Sequence, residues 1–318
     1  MGAKMIKVLF MGTPDFAVNS FHAICREFSV VGVLTQPDKP KGRGYTLTPP
    51  PIKVEAEKLG IPVYQPETLR DLAIKELLEE LSPDVIAVVA YGKILPSYVL
   101  EFPKYGCVNL HGSILPKYRG AAPMQRAIID GEKVTGVSTQ LMAQGVDTGD
   151  ILEKAYVEIN ENDNFEDIHD RLSSVGADLI VSTIKKLSEG LIIPEAQDHA
   201  LATHAAKIEK SDCLIDFAND ATTIHNLIRG LSPIPLSFTY LNGKMIKIKA
   251  SRILADEGVF GKAGEVISTA GDGITVACGA GKLLITELVP EGKKAMTAAS
   301  FVNGRGVAAK DIFTNVKE

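Results

Sequence analysis

The stretch that decides the fold is Ile6–Met11, which reads IKVLFM and ends in Gly12-Thr13-Pro14. A continuous apolar run that stops at turn residues is typical of a strand buried on both faces. The turn residues indicate that this strand leads directly into a helix. Strands of this kind occur mainly in parallel sheets, so the segment predicts the first strand of an α/β domain.

Further apolar runs with the same character follow along the first half of the chain. They are Val30–Thr35, Val63–Tyr64, Val85–Ala90 and Cys107–His111. Before the Val85 run, leucine and isoleucine recur at the i, i+3, i+4, i+7 spacing of a helix. Because strands alternate with helical segments, the sequence predicts a doubly wound parallel sheet built from βαβ units.

Beyond residue 130 the pattern changes to two longer strands, at 134–142 and 151–157, and then to a long amphipathic helix from Phe165 to Leu187. We expect this helix to close a first domain spanning residues 1–189. Residues 190–209 keep no regular period and include Pro194, which is typical of a linker. The second domain is expected at 210–318.

The second domain shows short β-rich runs separated by turn residues. The runs are Leu236–Leu241, Met245–Ile253, Gly264–Ser268, Ile274–Cys278 and Leu283–Leu288. Asn242-Gly243 is a hairpin signal between the first two runs. With one helical patch at Ala221–Gly230 before them, these runs predict a smaller C-terminal OB-like β-barrel of about five strands.

Composition excludes several classes of protein. The 318 residues carry a net charge of −5 and are 45% hydrophobic, which suggests about two globular domains and excludes a mainly disordered chain. The longest apolar run, Val85–Tyr91, is too short to cross a membrane. Four cysteines form no metal-binding pattern, so we expect no metal and a cytoplasmic location.

Two glycine-rich stretches fail as nucleotide-binding motifs. The turn after the first strand, Gly12–Ala17, lacks the three glycines of a dinucleotide-binding fingerprint. Gly279–Lys282 lacks both the first glycine of a phosphate-binding loop and the hydroxyl residue after its lysine.

The strongest functional signal lies where the Cys107–His111 strand ends. Asn109 and His111 are two residues apart, so they point to one face of an extended strand. The loop Gly112–Pro123 follows at the carboxyl end of the strand, where open α/β sheets bind ligands. A histidine and an amide at this place predict a catalytic pair.

A carboxylate, Asp147, stands in a turn bounded by Gly145 and Gly149. It could satisfy its own backbone in an Asx turn, or it could serve acid–base chemistry beside the histidine. A third signal is the Pro/Gly-rich segment 36–51, which carries Lys39, Lys41 and Arg43. Loops of this length in a compact domain are usually functional or disordered, and the cations suit a phosphate-bearing partner.

Together, the segments Gly12–Phe16, Pro40–Gly44, Asn109–Gly120 and Gly145–Gly149 resemble those of the methionyl-tRNA formyltransferase family of folate-dependent enzymes. The resemblance runs nearly end to end. It implies a Rossmann-like catalytic domain with a C-terminal OB-like barrel, which is the architecture predicted above.

The resemblance also implies a reaction. A formyl group would pass from 10-formyltetrahydrofolate to the α-amino group of methionyl initiator tRNA, with Asn109, His111 and Asp147 as the catalytic residues. A folate-contacting segment would comprise Ser113, Ile114, Leu115 and Pro116. Lys39, Lys41 and above all Arg43 would contact tRNA, and the chain is expected to act as a monomer without metal or membrane.

Two alternatives stay open at this stage. The Asn–His–Asp set is shared with formyltransferases that act on 4-amino sugar nucleotides, although the basic loop and the separate barrel favour tRNA. A non-catalytic RNA-binding protein on the same scaffold would be expected to have lost one of the three residues, and all three are present.

Overall fold

The computed structural model describes residues 5–41 and 46–317. Its strands are β1 (Lys7–Gly12), β2 (Ser29–Leu34), β3 (Lys39–Lys41), β4 (Thr46–Thr48), β5 (Val63–Tyr64), β6 (Val85–Val89), β7 (Cys107–His111), β8 (Arg119–Gly120), β9 (Val134–Leu141), β10 (Asp150–Glu158), β11 (His204–Ala205), β12 (Ser237–Leu241), β13 (Lys244–Ala255), β14 (Val266–Ser268), β15 (Ile274–Ala277), β16 (Lys282–Pro290) and β17 (Met296–Thr297). Its α-helices are α1 (Val18–Glu27), α2 (Pro51–Lys58), α3 (Leu72–Leu81), α4 (Ser97–Leu100), α5 (Pro123–Ile129), α6 (Phe165–Ser188), α7 (Ala221–Gly230) and α8 (Ala298–Asn303).

Strand β1 lies inside a sheet that, within the described residues, has seven strands in the order β10-β9-β7-β6-β1-β2-β5. β1 pairs in parallel with β2 and β6, and β6 pairs in parallel with β7. β9 then runs antiparallel to β7. The carboxyl ends of β1, β2, β6 and β7 therefore meet at one edge, which is where an open α/β sheet places its ligand site.

The core of this sheet confirms the predicted strand class. Leu9, Met11, Ile86 and Val88 are buried together with residues of α3. The continuous apolar runs are needed because parallel strands are covered on both faces. The doubly wound fold and the predicted strands agree with the structure to within about two residues at each end.

The segment 36–51 differs from the loop that was expected, because it contains the short antiparallel hairpin β3–β4. Lys39 pairs with Thr48, and Pro40 with Leu47. Exposed polar residues and a proline within three-residue strands leave no apolar alternation, so sequence periodicity could not reveal them.

The C-terminal strands form a second sheet in the order β12-β13-β16-β15-β14, with β17 added to β16. Its two edges are bridged by one segment, because Thr314 pairs with Tyr240 of β12 and Ile312 pairs with Glu265 beside β14. The curled antiparallel sheet agrees with the predicted OB-like barrel. Its core is lined by Ile248, Ile285 and Phe313 among others.

The chain divides into two compact units that are not continuous in sequence. The first comprises residues 1–120, 135–157 and 169–204, and the second comprises 121–134, 158–168 and 205–318. Helix α5 thus belongs to the second unit, where it packs against α7. The boundaries at 189 and 210 stay a prediction. In the described part of the chain, no helix is both long and apolar enough to cross a bilayer.

Candidate active site

Strand β7 brings Asn109 and His111 to the same face of the sheet. Both side chains are buried, with 9% and 7% of their surface exposed. On the neighbouring strand β9, Gln140 pairs with Asn109 and Ser138 pairs with His111. Because paired residues of an antiparallel ladder share a face, the four polar side chains form one buried polar patch at the carboxyl end of β7.

The hydrogen bond of His111 fixes which ring nitrogen carries the proton. Nε2 lies 2.9 Å from the backbone oxygen of Tyr118, and a carbonyl oxygen can only accept. Nε2 therefore donates, and in the neutral ring Nδ1 is the unprotonated atom. Nδ1 lies 3.6 Å from Oδ2 of Asp147, so a proton taken up by this nitrogen is placed beside a carboxylate.

The Asp147 carboxylate is held by two donors. The amide of Gly120 donates to Oδ2 at 2.9 Å, and Nε2 of Gln140 donates to Oδ1 at 3.0 Å. Its side chain is 17% exposed, so it is only partly shielded from water. The two bonds fix the orientation of the carboxylate beside His111.

The backbone of the Asp147 turn has an unusual conformation, which the residue types of the turn allow. Asp147 has φ of +52°, a left-handed geometry that Asp and Asn tolerate better than most residues. A Cβ on Gly149 would overlap the carbonyl oxygen of Leu141, so only glycine fits there. The spacing of glycines noted in the sequence thus serves the tight approach of this turn to β9.

Two buried side chains that the sequence did not single out as site residues hold the turn in place. Nε2 of Gln197 donates to the backbone oxygens of Asp147 and Gly149 at 2.9 and 2.6 Å. Its Oε1 accepts from Nε and from one terminal nitrogen of Arg119, at 3.0 and 2.6 Å. Gln197 lies in the segment predicted to be a linker, and nothing in that irregular stretch marks it.

Gln140 was also missed as a site residue. It lies in the quoted strand two positions after Ser138, and this spacing could have indicated a shared face with the polar end of β7. Its side chain is 1% exposed, and its Oε1 accepts no hydrogen bond from the described residues.

The segment Ser113–Pro116 follows β7 directly. Ser113 is fully buried and donates from Oγ to the backbone oxygen of Lys117, so its hydroxyl is already used within the loop. Leu115 is also fully buried, and its amide donates to Ser138 Oγ at 3.0 Å. Ile114 and Pro116 are partly exposed, so they are the side chains of this segment that a ligand could touch.

The predicted basic residues lie apart from this patch in the sequence and on a different element. Lys39 is exposed at the start of β3, and Lys41 ends that strand. Arg43 lies outside the described residues. Across the described ranges, no group of three or more His, Cys, Asp or Glu residues could hold a metal ion.

The arrangement can carry out acyl transfer to an amine. His111 and Asp147 can take up a proton, and the side chain of Asn109 makes no hydrogen bond within the described residues, so its amide is available to a ligand. Donors placed where negative charge develops on a carbonyl oxygen are a large source of acceleration in such reactions.

Comparison with known proteins places the chain in a family. Residues 4–184 match the family described as "Formyl transferase", and residues 207–306 match "Formyl transferase, C-terminal domain". The candidate site residues Asn109, His111 and Asp147 all fall within the first match.

Relatives match along most of the chain. A protein of Geotalea daltonii named methionyl-tRNA formyltransferase is 45% identical over 95% of this chain and 96% of its own length. One of the same name from Clostridium novyi is 46% identical over 96% of this chain and 99% of its own length.

Solved structures share the fold at much lower identity. The N-formyltransferase from Helicobacter canadensis, in complex with folinic acid and dTDP-3-aminofucose, is 22% identical and superposes with a TM-score of 0.67 over 88% of this chain and 99% of that one. HypX from Aquifex aeolicus with tetrahydrofolic acid is 15% identical, with a TM-score of 0.62 over 94% of this chain and 47% of that one. Since two family models together match most of the chain and relatives of one name match nearly its whole length, the chain belongs to the methionyl-tRNA formyltransferase family of formyl transferases.

Proposed function

We propose that this protein transfers the formyl group of 10-formyltetrahydrofolate to the α-amino group of methionine carried by initiator tRNA. The observation that carries the proposal is the His111–Asp147 pair beside the unengaged amide of Asn109, in a chain 45% identical to methionyl-tRNA formyltransferases along nearly its whole length. The formylated methionine would then start protein synthesis.

In the reaction a bond forms between the amine nitrogen and the formyl carbon, and the bond from that carbon to the folate nitrogen breaks. The amine nitrogen gives up a proton, and the folate nitrogen gains one. We assign the proton uptake to Nδ1 of His111, because Nε2 is already committed to the Tyr118 carbonyl. Asp147 stabilises the imidazolium that results, as a carboxylate does beside a histidine in acyl-transfer enzymes.

Asn109 is assigned to the oxygen of the formyl group. As the amine attacks, negative charge develops on that oxygen, and a preorganised amide donor stabilises it. The side chain fits this role because it is buried on the face of His111 and has no protein partner in the described chain. Ile114 and Pro116 with the backbone of their loop are proposed to contact folate, and the buried Ser113 and Leu115 to hold that loop.

Lys39, Lys41 and Arg43 are proposed to contact the phosphates of tRNA. Lysine and arginine side chains attract the phosphates of an RNA, and this attraction weakens as salt is added. Lys39 supports the assignment, because it is exposed at the start of β3.

The test is formyl transfer from 10-formyltetrahydrofolate to methionyl initiator tRNA at one fixed salt concentration. Parallel reactions contain a 4-amino sugar nucleotide, or water alone as the acceptor. We expect formylation of the tRNA only. Reaction of the sugar nucleotide, or release of formate into water, would leave the catalytic set in place but contradict the proposed acceptor.

Substitution of the histidine tests the mechanism in the same assay. His111→Ala is expected to lower turnover by about 10²–10⁴-fold, since a positioned acid–base group contributes on this scale. Binding of methionyl tRNA to this variant should stay near that of the unmodified protein. Undiminished turnover would contradict the assigned role of His111.

A further inference from the structure

The hairpin β3–β4 has little apolar contact to fix its direction. Lys39, Pro40 and Thr46–Thr48 are exposed, and Leu47 has 65% of its surface exposed. Burial of apolar surface is the main force that orients most hairpins. Another interaction must therefore hold the one formed by β3 and β4.

A polar cluster closes the two ends of this segment. Asp38 directly precedes β3, and Lys53 lies in the first turn of α2, which follows β4. Nζ of Lys53 donates to both carboxylate oxygens of Asp38, at 3.0 and 2.9 Å. The ion pair therefore ties residue 38 to residue 53 across the base of the hairpin.

Gln65, just after β5, completes the cluster. Its Nε2 donates to Oδ1 of Asp38 at 2.7 Å, and its Oε1 accepts from Nζ of Lys53 at 2.9 Å. The hydrogen bond from Gln65 has the largest effect on the pKa of Asp38, and the bond from Lys53 has the next largest. Both hold this pKa below its ordinary value, so the carboxylate stays charged. Each of the three side chains contacts the other two.

The cluster is attached to the carboxyl edge of the large sheet. Nε2 of Gln65 donates to the backbone oxygen of Gln36, and Nε2 of Gln36 donates to the backbone oxygen of Tyr91 beyond β6. The hydroxyl of Thr13, after β1, donates to the same Tyr91 oxygen. The base of the hairpin is thus fixed to the ends of β1, β2, β5 and β6, at the edge where β7 ends in His111.

Lys93 places positive charge at the same base. It donates to the backbone oxygens of Pro66 and Glu67, next to Gln65. Burial lowers the pKa of Lys93, Glu67 raises it, and Lys39 lowers it further. Lys93 thus adds a cation beside Gln65 at the base of the hairpin.

We propose that Asp38, Lys53 and Gln65 are positioning residues that orient the β3–β4 hairpin, and thereby set affinity for the tRNA acceptor without touching the reacting atoms. This inference rests on the proposed function. The alternative is a purely structural role. In that case loss of the cluster lowers stability and changes KM for tRNA and KM for the folate by the same factor.

Simple charge counting and the positioning role make opposite predictions for one variant. Asp38→Ala removes a negative charge beside a basic hairpin, so charge alone would strengthen binding of a polyanion. If the cluster orients the hairpin, the same variant weakens binding. The direction of the change therefore distinguishes the two effects.

Helix α2 offers a matched control for the lysine. Lys53→Met and Lys58→Met each remove one lysine charge from α2 and break one ion pair, but Lys58 pairs with Glu55 of its own helix and does not contact Asp38. A fall in tRNA use that is specific to Lys53 cannot come from the loss of one positive charge.

The experiment measures KM and kcat for methionyl initiator tRNA, and KM for 10-formyltetrahydrofolate, in Asp38→Ala, Lys53→Met, Gln65→Leu and Lys58→Met. Thermal unfolding of each variant is recorded alongside. We expect KM for tRNA to rise about tenfold in the first three, which is the scale of one hydrogen bond to a charged group. In these three variants, kcat at saturating tRNA and KM for the folate should stay within about twofold of the unmodified protein. All three kinetic values of Lys58→Met should also stay within about twofold of it.

An unchanged KM for tRNA in folded Asp38→Ala and Lys53→Met would overturn the inference, as would an equal rise in KM for both substrates. An equal effect of Lys58→Met would also overturn it. If Asp38→Ala fails to fold, Gln65→Leu and Asp38→Asn give the same comparison. Failure of the proposed function is seen separately, because the unmodified protein would then not formylate methionyl tRNA.

Discussion

Asp147 combines a left-handed backbone with a carboxylate that two donors hold, and the two properties can be separated by substitution. Asp147→Asn keeps a residue that tolerates φ of +52°, whereas Asp147→Ala removes that tolerance as well as the charge. We expect both variants to lower turnover by about 100-fold or more. Only the alanine variant should also lose about 1 kcal/mol of stability through backbone strain, measured by urea unfolding.

Equal unfolding free energies for the two variants would contradict the strain argument. Turnover of Asp147→Asn close to that of the unmodified protein would contradict the role of the charge beside Nδ1 of His111.

Gln140 is expected to act through Asp147. Gln140→Leu removes the donor to Oδ1 but keeps a buried side chain of similar size, so the Asp147 carboxylate loses one of the two hydrogen bonds that hold it beside His111. We expect kcat to fall about tenfold, while KM for the folate and for tRNA stays within about twofold. Gln144→Leu, on an exposed neighbouring glutamine that contacts Ser97, provides the control.

An unchanged kcat in Gln140→Leu, or a fall in kcat matched by an equal rise in both KM values, would mean that the side chain only fills space. The comparison of kcat with KM therefore separates a packing role from a positioning one.

At this scale, sequence reasoning singles out residues whose signal is local. Asn109 and His111 are two apart on a strand, and Asp147 is framed by glycines, so their sequence neighbours mark them. Gln197 lies 50 positions after Asp147, in a stretch without periodicity. Its place beside the turn depends on tertiary folding, which a single sequence does not display.

Among the elements, α7 carries a buried histidine whose ionisation opposes folding. Nε2 of His225 lies 3.2 Å from the backbone oxygen of Glu161 and therefore donates to it, which leaves Nδ1 to accept from the Ser251 hydroxyl at 2.9 Å. Burial lowers the pKa of His225, the carbonyl and charge of Glu161 raise it, and the Arg229 charge lowers it.

Since the pKa of His225 is lower in the folded chain than in the unfolded one, the unfolded chain binds the proton more readily. The contribution of neutral His225 to stability is therefore present above about pH 6.5 and is lost as the pH falls below it. We expect amide exchange of α7 to speed up between about pH 7.5 and about pH 5.5, after correction for intrinsic rates. In His225→Asn this pH dependence should weaken, and a dependence of full size there would refute the assignment.

Only some of the strands and helices could be predicted from sequence periodicity. Strands β6 and β7 and helices α6 and α7 were predicted because each has enough residues for a period to be visible. The hairpin β3–β4 has three residues in each strand and was predicted only as a loop. Its support comes from Lys53 and Gln65, which stand outside the hairpin and carry no pattern of their own.

On the scale of the whole molecule, one residue near the barrel edges should have a large effect on the second unit. Phe313 is 2% exposed and stacks against Phe217 with ring centroids 5.9 Å apart, in the segment that bridges β12 and β14. Phe313→Ala should cost about 3–5 kcal/mol of unfolding free energy, as removal of a buried phenylalanine ring usually does.

The adjacent Ile312→Ala is the matched control, because Ile312 is 42% exposed and should lose less than about 1.5 kcal/mol. Both values would come from denaturant unfolding followed by circular dichroism. Similar losses for the two variants would show that the segment does not depend on its buried ring.

The second unit draws residues from three separate parts of the chain, and this has a consequence for how such genes can recombine. Within that unit, a Cβ on Gly230 of α7 would lie 2.7 Å from Ile129 of α5, so the two helices leave no room for a larger side chain. A single crossover between two related genes at codons 169–204 would take α7 from one parent and α5 from the other. Hybrids of this kind inherit a mismatched helix pair, whereas a crossover upstream of codon 121 would keep the pair from one ancestor.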